Sequence, residues 1–168
     1  MIYRAPRMED ALTQGDILYD CPLVYWESLS SEVETKPRPV TVRTRVVVLT
    51  QACDLVQSKA TRVLVAVVHE AQNLVDRGIL KSNVIRDQIR SHRVYGWYFL
   101  PHGGVMEESL VDLRHLHTVP RLVLDRLVEA GKRVTSICTP YREHLAQHFA
   151  VTYSRIALPL PFETQAES

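Results

Sequence analysis

Cysteine is scarce in this chain: Cys21, Cys53 and Cys138 are the only three in 168 residues, and none forms a Cys-x-x-Cys pair. That scatter excludes a disulfide framework and makes a reducing, cytoplasmic compartment the expectation. Net charge is also scarce, +1 from 20 basic and 19 acidic side chains, so bulk charge implies no polyanionic partner. Long apolar runs are missing. The longest, residues 46–49 and 63–68, fall well short of the ~20 residues that cross a bilayer. Arg4, Arg7, Glu9 and Asp10 stand where a signal peptide would be apolar, so neither an anchor nor a membrane partner is expected. No glycine-rich phosphate loop, Gly-x-Ser-x-Gly elbow, His-Glu-x-x-His helix or kinase signature occurs, which removes support for the commonest nucleotide, esterase and zinc-protease chemistries.

What is present reads as one globular domain over residues 1–168, since 46% of the chain is apolar and 23% charged. Gly15 and Asp16 open a short strand through Ile17 and Tyr19, which Cys21 and Pro22 should interrupt before a second extended piece at residues 23–26. Residues 28–39, rich in serine and proline with little to bury, read as a mobile loop. The β-branched runs 46–49 and 63–68 read as buried central strands. Their connection is too short for a packed crossover helix, which makes them antiparallel neighbours. The period changes over residues 70–93 to helical spacing, a helical insertion with a break near Gly78 and Ser82. Residues 95–100 and 109–117 read as further strands, and residues 120–130 as a helix with Pro120 in its first turn and Gly131 as its stop. A last helix follows Thr139, the expected N-cap, with Leu145, Phe149, Tyr153 and Ile156 on one face, and residues 162–168 read as a frayed tail. The fold class is therefore α+β: a small bent antiparallel sheet of about five strands, or a partial barrel, with a helical insertion and C-terminal helices.

The densest polar cluster beside a buried strand is Thr50, Gln51, Cys53 and Asp54, just past Leu49. Strand ends fix polar side chains while the adjoining loop leaves them reachable. Cys53 reads either as a nucleophile or metal ligand with Asp54 orienting it, or as a small buried hydrophobe beside a turn closed by Thr50, Gln51 and Asp54. His115 and His117 fall on one face of a strand, a spacing that suits a zinc site completed by Cys53, Asp112 or His69 and equally suits two surface histidines. His69 and Glu70 end the second valine-rich strand and either approach the Thr50 loop or cap the strand. Arg86, Arg90, His92 and Arg93 lie beside Tyr95, Trp97 and Tyr98, a pattern that grips single-stranded RNA by phosphate contact and stacking, or a solvated helix face next to core aromatics.

Gly15-Asp16-Ile17 at the head of the first strand, a long polar loop, Arg45 to Gln51, and the second valine-rich strand resemble the MazF/PemK toxins. Leu110-Val111-Asp112-Leu113 running through Thr118-Val119-Pro120 into a helix resembles that family's penultimate strand and closing helix. The resemblance implies an SH3-like barrel and a metal-independent endoribonuclease, without cofactor, that uses the 2′-hydroxyl of single-stranded RNA as nucleophile. It also implies a homodimer neutralised by an antitoxin. It marks Arg45 as a phosphate binder and Thr50 as a polar site residue. Asp54, His69 and Gln51 join them from the reading of the residues, giving Thr50, Asp54 and His69 as catalytic candidates and Arg45 and Gln51 as substrate-binding ones. A catalytically silent protein-binding module on the same barrel, and a zinc hydrolase built on Cys53, His115 and His117, are the alternatives.

Overall fold

The computed structural model of the chain describes residues 1–7, 9–26, 37–56 and 60–154. Seven strands, β1 (Tyr3–Arg4), β2 (Asp16–Trp26), β3 (Pro39–Val48), β4 (Arg62–Glu70), β5 (Trp97–Leu100), β6 (Ser109–Pro120) and β7 (Arg133–Ile137), form one antiparallel sheet in the order β1-β7-β2-β3-β4-β6-β5. Helices α1 (Ala52–Val56), α2 (Ala71–Asp76), α3 (Ser82–Val84), α4 (Arg121–Glu129) and α5 (Tyr141–Tyr153), with a π turn at Ile85–Ile89, complete the α+β domain. The sheet is open rather than a closed barrel: β1 and β5 are its two edges. None of these helices is long and apolar enough to cross a membrane.

The valine-rich strands pair antiparallel, Val46 opposite Val67 and Val48 opposite Val65. Alternation then sends Val47, Leu49, Ala66 and Val68 to one face with Ile17, Tyr98, Leu113 and Leu145. Val46, Val48, Val63, Val65 and Val67 go to the other face, against Leu55 of α1 and Leu124 of α4. A sheet buried on both sides needs such continuous apolar runs, and each fully buried Val or Leu contributes ~1.5–3 kcal/mol.

Several expectations are corrected. Cys21 and Pro22 do not interrupt the first strand: β2 runs to Trp26, with a register shift between Leu18 and Cys21 where Asp20 takes φ +56°. Pro22 is tolerated because β7 covers β2 only from Asp16 to Leu18, leaving Pro22 a strand neighbour on one side alone among the described residues. The sheet has two strands beyond the five expected. β7 was missed because Arg133, Thr135 and Ser136 make it look like a loop, yet these polar side chains are buried. Arg133 pairs with Asp16, Nη1 to Oδ2 at 3.1 Å, and Ser136 donates to the same carboxylate. Gly15, at φ +84°, lets this corner close, since a Cβ there would lie 3.3 Å from Ile137 and 3.2 Å from Arg142. Helix α4 starts at Arg121, with Pro120 at its N-cap, and Gly131 (φ +70°) follows its end as expected. Thr139 does not cap α5; Pro140 holds that position and the Thr139 hydroxyl donates instead to Glu143 Oε1 at 3.0 Å. Most of the loop 28–39, together with Ile156 and the tail 162–168, lies outside the described residues; Pro39 already belongs to β3.

The feature that shapes the site is in β6. Val67 faces Asp112, but its neighbour Ala66 faces Leu116, so Leu113, Arg114 and His115 stand unmatched in the ladder. The expected regular alternation through 109–117 therefore breaks at these three residues.

Candidate active site

The break in β6 gathers polar groups around one buried carboxylate. Asp112 is 2% exposed. It accepts hydrogen bonds from the Arg114 backbone N–H (3.0 Å), Arg114 Nε and Nη2 (2.9 Å each) and the ring nitrogen Nδ1 of His115 (3.0 Å). Burial alone would raise its pKa, but the side-chain and backbone bonds from Arg114, with the charges of Arg114 and His115, outweigh it and hold the carboxyl below its ordinary value. Arg114 also lies over the Trp97 ring, its guanidinium carbon 4.3 Å from the centroid. Gly96 makes that approach: a Cβ there would sit 2.9 Å from Arg114 Cγ.

Around this carboxylate is a cavity of about 270 Å³ whose floor is Val67, Leu74, Ile79 and Trp97. Tyr25 from β2, His69 from β4, Arg77 after α2, and Arg114 and His115 from β6 also line it. His117 stands beside them, its ring 4.9 Å edge-on from Tyr25. Burial pushes the His69 imidazole below its ordinary value, opposed by Asp112 and reinforced by His115, Arg77 and Arg114. His117 is lowered by burial and then by His115, while burial and the Asp112 charge raise the Tyr25 phenol. Among the described residues, the guanidiniums of Arg77 and Arg114 and the one carboxylate of Asp112 are the side chains of fixed charge that line it.

The residues singled out in the sequence do not gather in one place. His69, His115 and His117 come together here. Thr50 lies elsewhere: its hydroxyl accepts the Leu64 N–H at 2.7 Å, and Leu64 is five residues from His69, about 17 Å along a strand. Cys53, Gln51 and Asp54 are exposed beside it, the Cys53 thiol 3.6 Å from Gln51 Oε1 and 3.9 Å from Asp54 Oδ1. Arg45 is on the opposite sheet face, alternating with Val46. Its guanidinium pairs with Glu70 (3.0 Å), reaches Ser109 Oγ (3.4 Å) and lies 4.3 Å from the Tyr19 ring centroid. Arg86 pairs with its neighbour Asp87. Cys53, His115 and His117 do not assemble into a metal site, nor does any group of three or more His, Cys, Asp or Glu among the described residues.

Sequence reading weighed Asp112 as a zinc ligand and Trp97 as an RNA-stacking or core aromatic, and missed Tyr25, Arg77 and Arg114. The available signal was Asp112 inside the apolar run Leu110-Val111-Asp112-Leu113, with Arg114 and His115 directly after it, since a buried ionisable side chain needs partners. Chemically the arrangement offers an imidazole oriented by a carboxylate, a second imidazole, a phenol and two cations around an apolar floor, the components of acid–base catalysis on an anionic substrate. No protein-family model matches the chain, and neither does any curated protein.

Proposed function

We propose that this pocket cleaves single-stranded RNA without a metal, as an endoribonuclease. The observation that carries the reading is the bond from His115 Nδ1 to the buried Asp112 carboxylate. It fixes the tautomer with the proton on Nδ1, so Nε2 is a proton acceptor. His115 then takes the proton of the 2′-hydroxyl as its oxygen attacks phosphorus. The bond from phosphorus to the 5′-oxygen breaks, the Tyr25 phenol, which burial and the Asp112 charge keep protonated, supplies the proton to that leaving oxygen, and a 2′,3′-cyclic phosphate remains. Arg114 and Arg77 stabilise the charge on the phosphoryl oxygens. DNA, lacking the attacking hydroxyl, is not a substrate.

The test is incubation of RNA oligonucleotides of varied sequence with purified protein and a chelator. Cleavage to cyclic-phosphate ends is expected, with His115→Ala slower by about 10²–10⁴-fold, the usual contribution of a general base. No cleavage of any sequence, or full activity in His115→Ala, overturns the reading. A second reading, a protein-binding module whose partner is an antitoxin-like chain or a second copy, is favoured by Val24 and Trp26. These sit two apart on one face of β2, 56% and 66% exposed. A monomeric mass at all concentrations and no partner on pull-down through Trp26 would remove it.

A further inference from the structure

On the sheet face opposite the Asp112 pocket lies a second cavity of about 470 Å³. Tyr98 of the edge strand β5 lines it from that face, and its neighbour Phe99, which alternates to the Trp97 side, meets it at the sheet edge. The rings of His92, Tyr98, Tyr141 and His144 line it together with Pro101 and Pro140, and no lysine, arginine, aspartate or glutamate does so among the described residues. We propose that this cavity binds an uncharged planar heteroaromatic molecule of the size and chemistry of a purine base.

Four observations converge on that ligand class. The walls are flat rings, which favour a flat occupant, and the absence of charged walls disfavours an ionic one. The polar edges are imidazoles: Tyr98 occupies Nδ1 of His144 and leaves its Nε2, and ring nitrogens of this kind complement the polar edge of a heteroaromatic base. These imidazoles are built into place. The His92 ring packs 4.6 Å from His144, 5.0 Å from Tyr98 and 5.6 Å from His148 (centroid distances), while the Tyr98 hydroxyl lies 3.1 Å from His144 Nδ1. His148 is anchored in turn by Nε2 against the Trp97 carbonyl at 3.1 Å. Finally, His92 is poorly explained as packing. It buries Nδ1 without a hydrogen-bond partner among the described residues, whereas its φ of +57° is the left-handed stop of the preceding helix, the His92 and Arg93 N–H groups bonding the Ile89 and Gln88 carbonyls. A phenylalanine would fill the same space with no orphaned nitrogen, and the π turn Ile85–Ile89 just before it is a feature that concentrates at functional sites.

Adenine is the probe, titrated into the full chain while the histidine ring resonances are followed by NMR. Saturable shifts of His92 and His144 at sub-millimolar adenine are expected, with binding weakened tenfold or more in His92→Phe. Tyr141→Ala, at the mouth and 41% exposed, should fold normally and weaken binding several-fold. No saturable shift up to the solubility limit of adenine overturns the proposal, as does unchanged affinity in a folded His92→Phe. His69 and His115 should not shift, so failure here and failure of the ribonuclease reading are separate results.

Discussion

Replacing Asp16 by Ala leaves a guanidinium closed off from water without its counter-charge. The Asp16 and Arg133 side chains are 0% and 3% exposed. Removing one partner of such a pair costs ~3–5 kcal/mol. Arg133 keeps the Arg7, Asp10 and Ala11 carbonyls as acceptors, which places its share at the low end, about 3 kcal/mol. The substitution also orphans the Thr13 N–H and the Ser136 hydroxyl, each worth about 1 kcal/mol. The total, about 4–5 kcal/mol, is a large part of the 5–15 kcal/mol that holds a typical domain. At roughly 2–4 °C per kcal/mol for a chain of this size, the melting midpoint falls by about 10–20 °C. Asp16→Asn keeps an acceptor and should fall between. Replacing both partners by apolar residues of similar volume, Asp16→Leu with Arg133→Met, should recover much of the loss, because no buried charge then remains. Thermal and urea unfolding by circular dichroism measure all four proteins. A loss below about 1 kcal/mol in Asp16→Ala, no more than an ordinary exposed ion pair contributes, would refute the reasoning.

Asp112→Ala is the informative contrast. Its carboxylate is equally buried, but the Arg114 and His115 side chains are 51% and 63% exposed and can turn to water. Mainly the Arg114 amide is left orphaned, so the expected loss is about 1–3 kcal/mol in the same unfolding assay, and a loss matching Asp16→Ala would contradict it. Acid should destabilise the fold through His69, His92, His117 and His148, all held below the ordinary imidazole value chiefly by burial. Below about pH 6.5 the unfolded chain binds more protons than the folded one, so their stability contribution is complete above that pH and lost as pH falls beneath it. Melting curves from pH 7.5 to 5 should show this, with a shallower acid slope in His92→Phe; an unchanged slope counts against the assignment. Cys53, being exposed, should alkylate well before Cys21, which is buried with its thiol pushed up to about 11. Mass spectrometry of a labelling time course ranks them, and the reverse order would contradict the placement.

The central strands were legible because nothing but a two-sided sheet explains Val46-Val47-Val48 followed by Val63 to Val68, and the insertion and last helices were legible from their period. Strand β7 was not. Arg133 and Ser136 are satisfied by Asp16 and Thr135 by the Arg4 carbonyl, all more than a hundred positions away, and no local pattern encodes such partners. The site was half legible for a related reason. His69, His115 and His117 attract notice as residue types, whereas Tyr25, Arg77 and Arg114 gain a role only from where the sheet puts them. The break in β6 depends on a register with β4 that the sequence of β6 alone does not contain. Arg45 illustrates the converse: a cation beside a polar loop invites a phosphate reading, but alternation turned it to the other face, where Glu70 and Tyr19 occupy it.

The three unmatched residues of β6 leave one amide with an unusual partner. Leu113 donates its N–H to the Gly96 carbonyl, but the Arg114 N–H is held by the Asp112 side chain rather than by a neighbouring strand. Protection of most amides in a sheet reports the opening of ladders, ultimately the stability of the whole domain. Protection at Arg114 instead reports whether one carboxylate is charged, in place and accepting. Hydrogen exchange at that single position therefore separates events in the pocket from events in the fold, without any label or substitution being introduced.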